Sequence, residues 1–312
     1  MSTKSPGHLY VLSPIYFDVK SYEILMQKIK QSFGENEFDY KVKFVVVDDS
    51  AGADLQIQKI KDLGVQVINP PFNLGHQRAI VYGLRYISDQ ISASDLVVTM
   101  DSDGEDSPED VRRLFNVLSQ HENCQVVLAY RSKRRETFIF KLFYQFFKLF
   151  FYTLTGTRVK SGNFAIIRGE FLKRVIKHPY FDLCYSSSLL ALKYPLLELP
   201  CERGRRFEGK SKMNFNSLLL HGIRMLMPFM DKIAIRSFVI FSIAFGLGII
   251  SAFIIFLIKV ATDLSIPGWS SSIITLTVIF SFIALGNFLV LFSSFIQNQG
   301  LAMKFLDKNV DP

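Results

Sequence analysis

Cysteine is scarce in this chain: the 312 residues include three, Cys124, Cys184 and Cys201, far apart. An odd, scattered set gives neither a disulfide framework nor a zinc-ligand spacing, and it fits a reducing compartment. The histidines, His8, His76, His121, His178 and His221, are equally dispersed. Tryptophan occurs once, at Trp269. The opening stretch "MSTKSPGHLYVLSPIYF" has no long apolar run, so no cleavable signal peptide is expected.

What is abundant is hydrophobic mass: 49% of the residues, with 30 Phe. Residues 235–258, "IRSFVIFSIAFGLGIISAFIIFLI", carry Arg236 as their only charge, and residues 273–296, "IITLTVIFSFIALGNFLVLFSSFI", carry none. Each is long enough to cross a bilayer core of about 30 Å as a helix. Two such runs side by side are read as a transmembrane hairpin rather than as buried core helices. Trp269 in the connection suits the headgroup level, and Lys232, Arg236, Lys304 and Lys308 flank the opposite ends. The positive-inside rule then places the long N-terminal region in the cytosol of an integral membrane protein, in a bacterium at the inner membrane.

Residues 1–212 alternate between two patterns. Short apolar or β-branched runs at 8–13, 42–48, 65–69, 95–100 and 124–130 read as strands, and helix-like segments at 19–33, 54–63, 75–88 and 108–120 separate them. The fold class expected is α/β with a mostly parallel sheet, whose ligands bind outside the carboxyl ends of the strands.

At two of those ends lie acids. The formal net charge is +8, yet "VVTMDSDGEDSPED", residues 97–110, gathers Asp101, Asp103, Glu105, Asp106, Glu109 and Asp110, and "VVVDDS" ends in Asp48 and Asp49. Carboxylates two residues apart in an extended loop suit a hard cation such as Mg2+ or Mn2+, completed by substrate phosphates. Asp106, Glu109 and Asp110 read as first-turn helix residues favoured by the helix dipole. A calcium loop is a poor fit: counting from Asp101, its glycine and final acid would fall on Asp106 and Arg112.

"VVVDDS", "NLGHQRAIVYGL", "MDSDGEDSPED", "VVLAYRSKRRE", "SGNFAIIRGEFL" and "RFEGKSKMN", in that order, resemble family 2 glycosyltransferases of the GT-A fold. With a C-terminal helix pair, the pattern is most similar to the polyprenyl-phosphate glycosyltransferases related to dolichol-phosphate mannose synthase and bactoprenol glucosyltransferases. The resemblance spans residues 8 to 230 and implies a nucleotide-sugar donor, a UDP- or GDP-sugar. It makes Asp101 and Asp103 the D-x-D pair on the metal, with Glu105, where these relatives usually have Gln, as a further ligand. Asp48 and Asp49 match the acids at the base and ribose, and Pro14 and Tyr16 lie in the first nucleotide-binding loop. Asn73 and His76 fall in the next donor motif, His76 replacing a more usual Lys.

Basic residues follow the fifth strand (Arg131, Lys133, Arg134, Arg135) and precede the membrane (Arg203, Arg205, Arg206, Lys210, Lys212). Such runs can be solvated faces or patches for anionic headgroups. For Arg131, Arg206 and Lys212 the resemblance implies contact with phosphates instead, and no nucleic-acid partner is expected. Residues 204–211, "GRRFEGKS", match the P-loop expression, but too few residues remain before the membrane for the domain it requires. Gly209, Lys210 and Ser211 are read as a phosphate-facing loop.

Residues 138–152, "FIFKLFYQFFKLFFY", place Lys141, Gln145 and Lys148 on one helical stripe, and at about 22 Å the helix is too short to span. An interfacial helix is expected, with burial in the soluble domain as the alternative. A second amphipathic segment, 213–232, leads into the hairpin of 233–312. The reaction expected is transfer of a sugar to a lipid phosphate, since 180–195 offers only Asp182 as a base and a phosphate acceptor needs none. A processive synthase is disfavoured: no Q-x-x-R-W motif is present. Transfer to a sugar hydroxyl, with Asp182 as base, and a non-catalytic nucleotide-sugar-binding anchor remain open, as does assembly into a homo-oligomer.

Overall fold

A computed structural model describes residues 7–33, 40–131, 138–208, 215–262 and 268–307. The chain runs β1 (His8–Ile15), α1 (Val19–Ser32), β2 (Lys41–Asp48), α2 (Ile57–Asp62), β3 (Gln66–Ile68), α3 (His76–Ser88), β4 (Leu96–Thr99), α4 (Pro108–Gln120), β5 (Val126–Arg131) and α5 (Phe138–Thr155). It continues with β6 (Ser161–Arg168), α6 (Gly169–Val175), α7 (Tyr185–Ala191), β7 (Leu196–Cys201), α8 (Phe215–Leu226), α9 (Met230–Ala261) and α10 (Trp269–Asp307). These form two units, one of residues 1–143 and 159–228, the other of 144–158 and 229–312.

In the first unit the strands make one seven-stranded sheet, ordered β3-β2-β1-β4-β6-β5-β7. β1 pairs in parallel with β2 and β4, β2 with β3, and β5 with β7. Only β6 runs against its neighbours, β4 and β5. The central strands are buried on both faces, which is why they read as continuous apolar runs. Successive residues of β1 go to opposite layers: Leu9 and Val11 pack with α1 and α4, Tyr10 and Leu12 with α3 and α6. The sheet therefore has helices on both faces, and the strand order reverses between β1 and β4, where folds of this kind form their ligand-binding crevice at the carboxyl ends.

In the second unit, the end of α5 packs on the start of α9. Phe151 is fully buried and meets Phe229 edge-on, with ring centroids 5.4 Å apart. Gly156 closes α5 in a left-handed conformation, φ +67°, and its N–H donates to Tyr152 O at 2.7 Å. Arg236, the one charge of the first apolar run, donates Nη1 to Tyr152 O at 3.2 Å and to Thr153 O at 2.7 Å. A cation among the last carbonyls of a helix is favourable. Replacing it, Arg236→Ala, should cost about 1 kcal/mol and lower the thermal midpoint in detergent by about 3 °C; an unchanged midpoint would mean that water serves those carbonyls equally well.

The other side of α5 stays exposed at Leu142, Phe143, Phe146, Leu149 and Phe150. α8 likewise exposes Leu219, Leu220 and Ile223. The most apolar stretches of two candidate spans, Ser217–Ala261 and Ser271–Ser294, have mean hydropathies of 2.6 and 2.3, with no part of either stretch buried within the protein. α9 and α10 pack as an antiparallel pair with Phe238 against Phe288 at 4.8 Å and Gly248 against Thr277.

Candidate active site

The second strand ends in a turn held by its own acid. Asp48 Oδ1 accepts from Ser50 N (3.0 Å) and Ser50 Oγ (2.6 Å), and Oδ2 from Gly52 N (3.1 Å). Asp49 ties this turn to the approach to α3: its Oδ1 accepts from Leu74 N at 2.7 Å, and its carbonyl from Asn73 Nδ2 at 2.6 Å. Asp48, Asp49 and Asn73 thus shape the loop edge of the crevice. Burial raises the Asp49 pKa against the opposing pull of the Leu74 and Gly75 amides and the charge of His76. On the neighbouring strand Pro14 is buried while Tyr16 is half exposed, edge-on to Phe17 at 4.9 Å. Phe17 holds φ +51°, a strained conformation for a bulky residue, two positions past the end of β1.

α3 starts at His76, so its first turn delivers that imidazole toward the acids after β4. His76 Nε2 lies 3.0 Å from Asp101 Oδ1 and 2.7 Å from Asn163 Nδ2. Behind it, Gln77 Nε2 donates to Asn163 Oδ1 at 2.5 Å and Ser186 N donates to Gln77 Oε1 at 3.3 Å. One ring nitrogen cannot accept from the amide and donate to the carboxylate together. Asp101 Oδ1 is left buried without a hydrogen bond among the described residues. The crowding disfavours a charged imidazole, but the charge and contact of Asp101, then Asp106 and Asp103, prevail and raise the His76 pKa. Asp101 is the reverse case: burial is outweighed by His76 and Arg131, and its pKa falls.

The rest of the acidic loop folds around Asp101. Asp106 Oδ2 accepts from Asp101 N at 3.0 Å, and Asp103 Oδ1 from Glu105 N at 2.9 Å. Asp106 is therefore not a first-turn helix residue: α4 begins at Pro108 after an extended Ser107, and only Glu109 and Asp110 occupy that turn. Burial first, then the charge of Asp101, pushes the Asp106 carboxyl up to about 8. The same two causes, in the same order, raise Asp103. An acid cluster in which Asp101 Oδ1 has no hydrogen bond and two carboxyls are raised by burial first and by the charge of Asp101 second fits a hard dication. No three His, Cys, Asp or Glu side chains among the described residues make a cage by themselves. Mg2+ and Mn2+ sites commonly use one or two carboxylates and leave the remainder to phosphates and water.

Arginines arrive from two other segments. Arg131, at the end of β5, reaches Glu105 Oε2 at 3.3 Å. Strand pairing sets Arg131 beside Cys201, so the residues after β7 emerge next to it. From there Arg203 contacts Glu105 at 2.6 Å, and Arg206 pairs with Asp103. Lys212, Lys133, Arg134, Arg135 and the Gly209-Lys210-Ser211 loop lie outside the described residues. Asp182 is elsewhere: Arg85 Nη1 holds it at 2.7 Å, nine residues along α3 from His76, about 13 Å of helix.

Carboxylates and arginines interleave at the carboxyl edge of a mostly parallel sheet, at its switch point, the place where α/β folds of this kind bind their ligands. Residues 23–176 match the model described as glycosyl transferase family 2, and the chain carries a glycosyltransferase domain of that family. It is similar to the uncharacterized glycosyltransferase YkcC of Bacillus subtilis, 26% identical over 291 residues, covering 88% of this chain and 84% of that protein. It is also similar to the undecaprenyl-phosphate 4-deoxy-4-formamido-L-arabinose transferase of an Enterobacter species, 24% identical over 264 residues, with 76% of this chain and 77% of that one covered. Among solved structures, glucosyl-3-phosphoglycerate synthase of Mycobacterium tuberculosis, in complex with Mn2+, UDP-glucose and phosphoglyceric acid, aligns with a TM-score of 0.48. It is 13% identical and covers 73% of this chain and 80% of its own.

Proposed function

We propose that this protein is a membrane-bound, metal-dependent, inverting glycosyltransferase that moves a sugar from a UDP- or GDP-sugar to a polyprenyl phosphate, undecaprenyl or dolichyl. The observation that carries this reading is the interleaving of Asp101 and Asp103 with Arg131, Arg203 and Arg206 in one crevice. Negative groups alone would repel a diphosphate, and arginines alone would not hold a cation. The relative named for transfer to undecaprenyl phosphate supports the acceptor class.

Asp101 and Asp103 would hold Mg2+ or Mn2+, which when bound supplies positive charge against the departing diphosphate. His76 and Asp106 fix Asp101 from its two sides. Arg131 and Arg206 neutralise phosphate oxygens on donor and acceptor. A non-bridging oxygen of the lipid phosphate forms a bond to the anomeric carbon as the bond from that carbon to the β-phosphate oxygen breaks. The electron pair leaves with the nucleoside diphosphate, and the configuration inverts. A phosphate monoester, with a second pKa near 6, is already anionic at neutral pH and needs no base. The position of Asp182 supports this choice, because it is held by Arg85 away from the acids rather than within hydrogen-bond reach of a substrate hydroxyl. Asp182→Asn should therefore keep kcat/KM within about twofold; a drop near a hundredfold would return the hydroxyl acceptor to first place.

The two apolar helices support an integral membrane location, with the basic flanks and the first unit on the cytosolic side. The deciding experiment supplies membranes holding the protein with radiolabelled nucleotide sugars, Mn2+ and polyprenyl phosphate. Label in an acid-labile lipid is the expected result. Donor hydrolysis without that lipid would favour a sugar hydroxyl, and silence across the panel would favour a binding module.

A further inference from the structure

The segment that follows β7 lies as a strap across the acidic loop. Gly204 N donates to Glu105 O and Phe207 N to Asp103 O, each at 2.9 Å. The two backbones approach so closely that a Cβ on Gly204 would run into the carbonyl oxygen of Gly104. Gly104 itself holds φ +85°, and a Cβ there would stand 2.5 Å from the Phe207 ring. Lys28 of α1 covers that ring at 5.4 Å. The charged fastening is Glu105: its Oε2 takes Arg203 Nη2 at 2.6 Å, Arg203 Nε at 3.0 Å and Arg131 Nη2 at 3.3 Å, while Oε1 lies 3.6 Å from Arg206 Nε. Its side chain is only 13% exposed.

We propose that Glu105 is the positioning residue that anchors this strap, pinning Arg203 as a fixed post so that Arg131 and Arg206 face the substrate phosphates, and that it is not a ligand of the metal. Both of its oxygens are already committed to guanidinium groups, which no other described carboxylate in the crevice matches. Three arginines confined together repel one another unless an anion sits among them. Asp103 is due to the cation in the proposed reaction, which leaves Glu105 as the charge that keeps the cluster assembled when Asp103 is engaged. A glutamine there would offer one neutral oxygen to three cations. The strap would keep its two backbone bonds and Phe207 but lose its charged tie, and would open more often.

This rests on the proposed donor site for its kinetic arm alone; two other readouts need no catalysis. The full chain in detergent, carrying Glu105→Gln, should be cut by trypsin within 203–206 about tenfold faster than the parent. Its affinity for Mn2+ alone, read by electron paramagnetic resonance, should be unchanged. Donor KM should rise about tenfold, with most of the loss in kcat/KM carried by KM. Arg203→Gln should reproduce the trypsin and KM changes, and the double variant should be no worse than either single one, the mark of a coupled pair. Glu105→Asp, which keeps the charge on a shorter arm, should fall between. If Glu105→Gln weakens Mn2+ binding while the strap keeps its protection, or if the two substitutions add in full, the anchor is overturned in favour of a metal ligand or of independent residues. Should Glu105→Gln fail to fold, Arg203→Gln carries the trypsin and KM arms, and parent-like values there would overturn the proposal equally.

Discussion

Asp101→Ala and Asp103→Ala should each lower metal-dependent sugar transfer by about a thousandfold, a loss of about 4 kcal/mol of transition-state stabilisation. The two losses should come by different routes. Asp101 lies between His76, whose Nε2 is 3.0 Å from its Oδ1, and Asp106, whose side chain receives its backbone N–H, and its own side chain is 23% exposed. Removing it would delete a proposed metal ligand and also free His76, whose raised pKa depends on that carboxylate after the cost of burial. Asp103 pairs with Arg206 and closes the turn through Glu105 N. Its removal would delete a proposed metal ligand and take away one of the two acidic-loop carboxylates that Arg206 meets, so added Mn2+ should restore Asp103→Ala less than it restores Asp103→Glu. Neither acid belongs to the apolar layers of the sheet, so circular dichroism should show a folded protein in both cases. A variant that keeps a tenth of parental transfer would remove that residue from the metal site.

The fold was legible where one physical signal dominated. β4 and the second half of β2 are buried on both faces, and their apolar runs end where acids begin, so strand, edge and ligand side could be read together. β6 and β7 carry weaker signals. β6 opens with Ser-Gly-Asn and turns at once into α6, and β7, at the sheet edge, includes Pro200, which an edge tolerates but a sequence pattern counts against a strand. α7 places three serines, poor helix formers in an interior, directly after Tyr185, and its helicity comes from burying Tyr185 and Leu189 in the core. In the site, the acids were legible because they are adjacent in sequence. What holds them was not. Glu105 meets Arg131 across 26 positions and Arg203 across 98, and Asn163 reaches His76 across 87. Those contacts follow from the register of β5 with β6 and β7, which no local pattern encodes. Asp106 was open to a better reading: Ser-Pro at 107–108 marks a helix start that leaves the preceding acid in the loop.

Arg131→Ala should lower kcat/KM for the donor by about a hundredfold, near 3 kcal/mol, with the protein's thermal midpoint unchanged. The register of β5 fixes the Arg131 backbone beside Cys201, and its side chain is 34% exposed at the strand end, so truncation leaves the sheet intact. The loss therefore falls on phosphate binding. A phosphate offers paired oxygens, and a guanidinium meets them with two parallel N–H groups where an ammonium supplies one point of charge. Arg131→Lys should accordingly recover about tenfold of the loss, not all of it. The guanidinium also restrains the acid loop through Glu105, so donor KM should rise in both variants, but only a residue that meets charge developing on the leaving diphosphate should lower kcat as well. A fall confined to KM would make Arg131 a support for the strap; a fall in both, only partly recovered by lysine, would place it on the phosphates undergoing transfer.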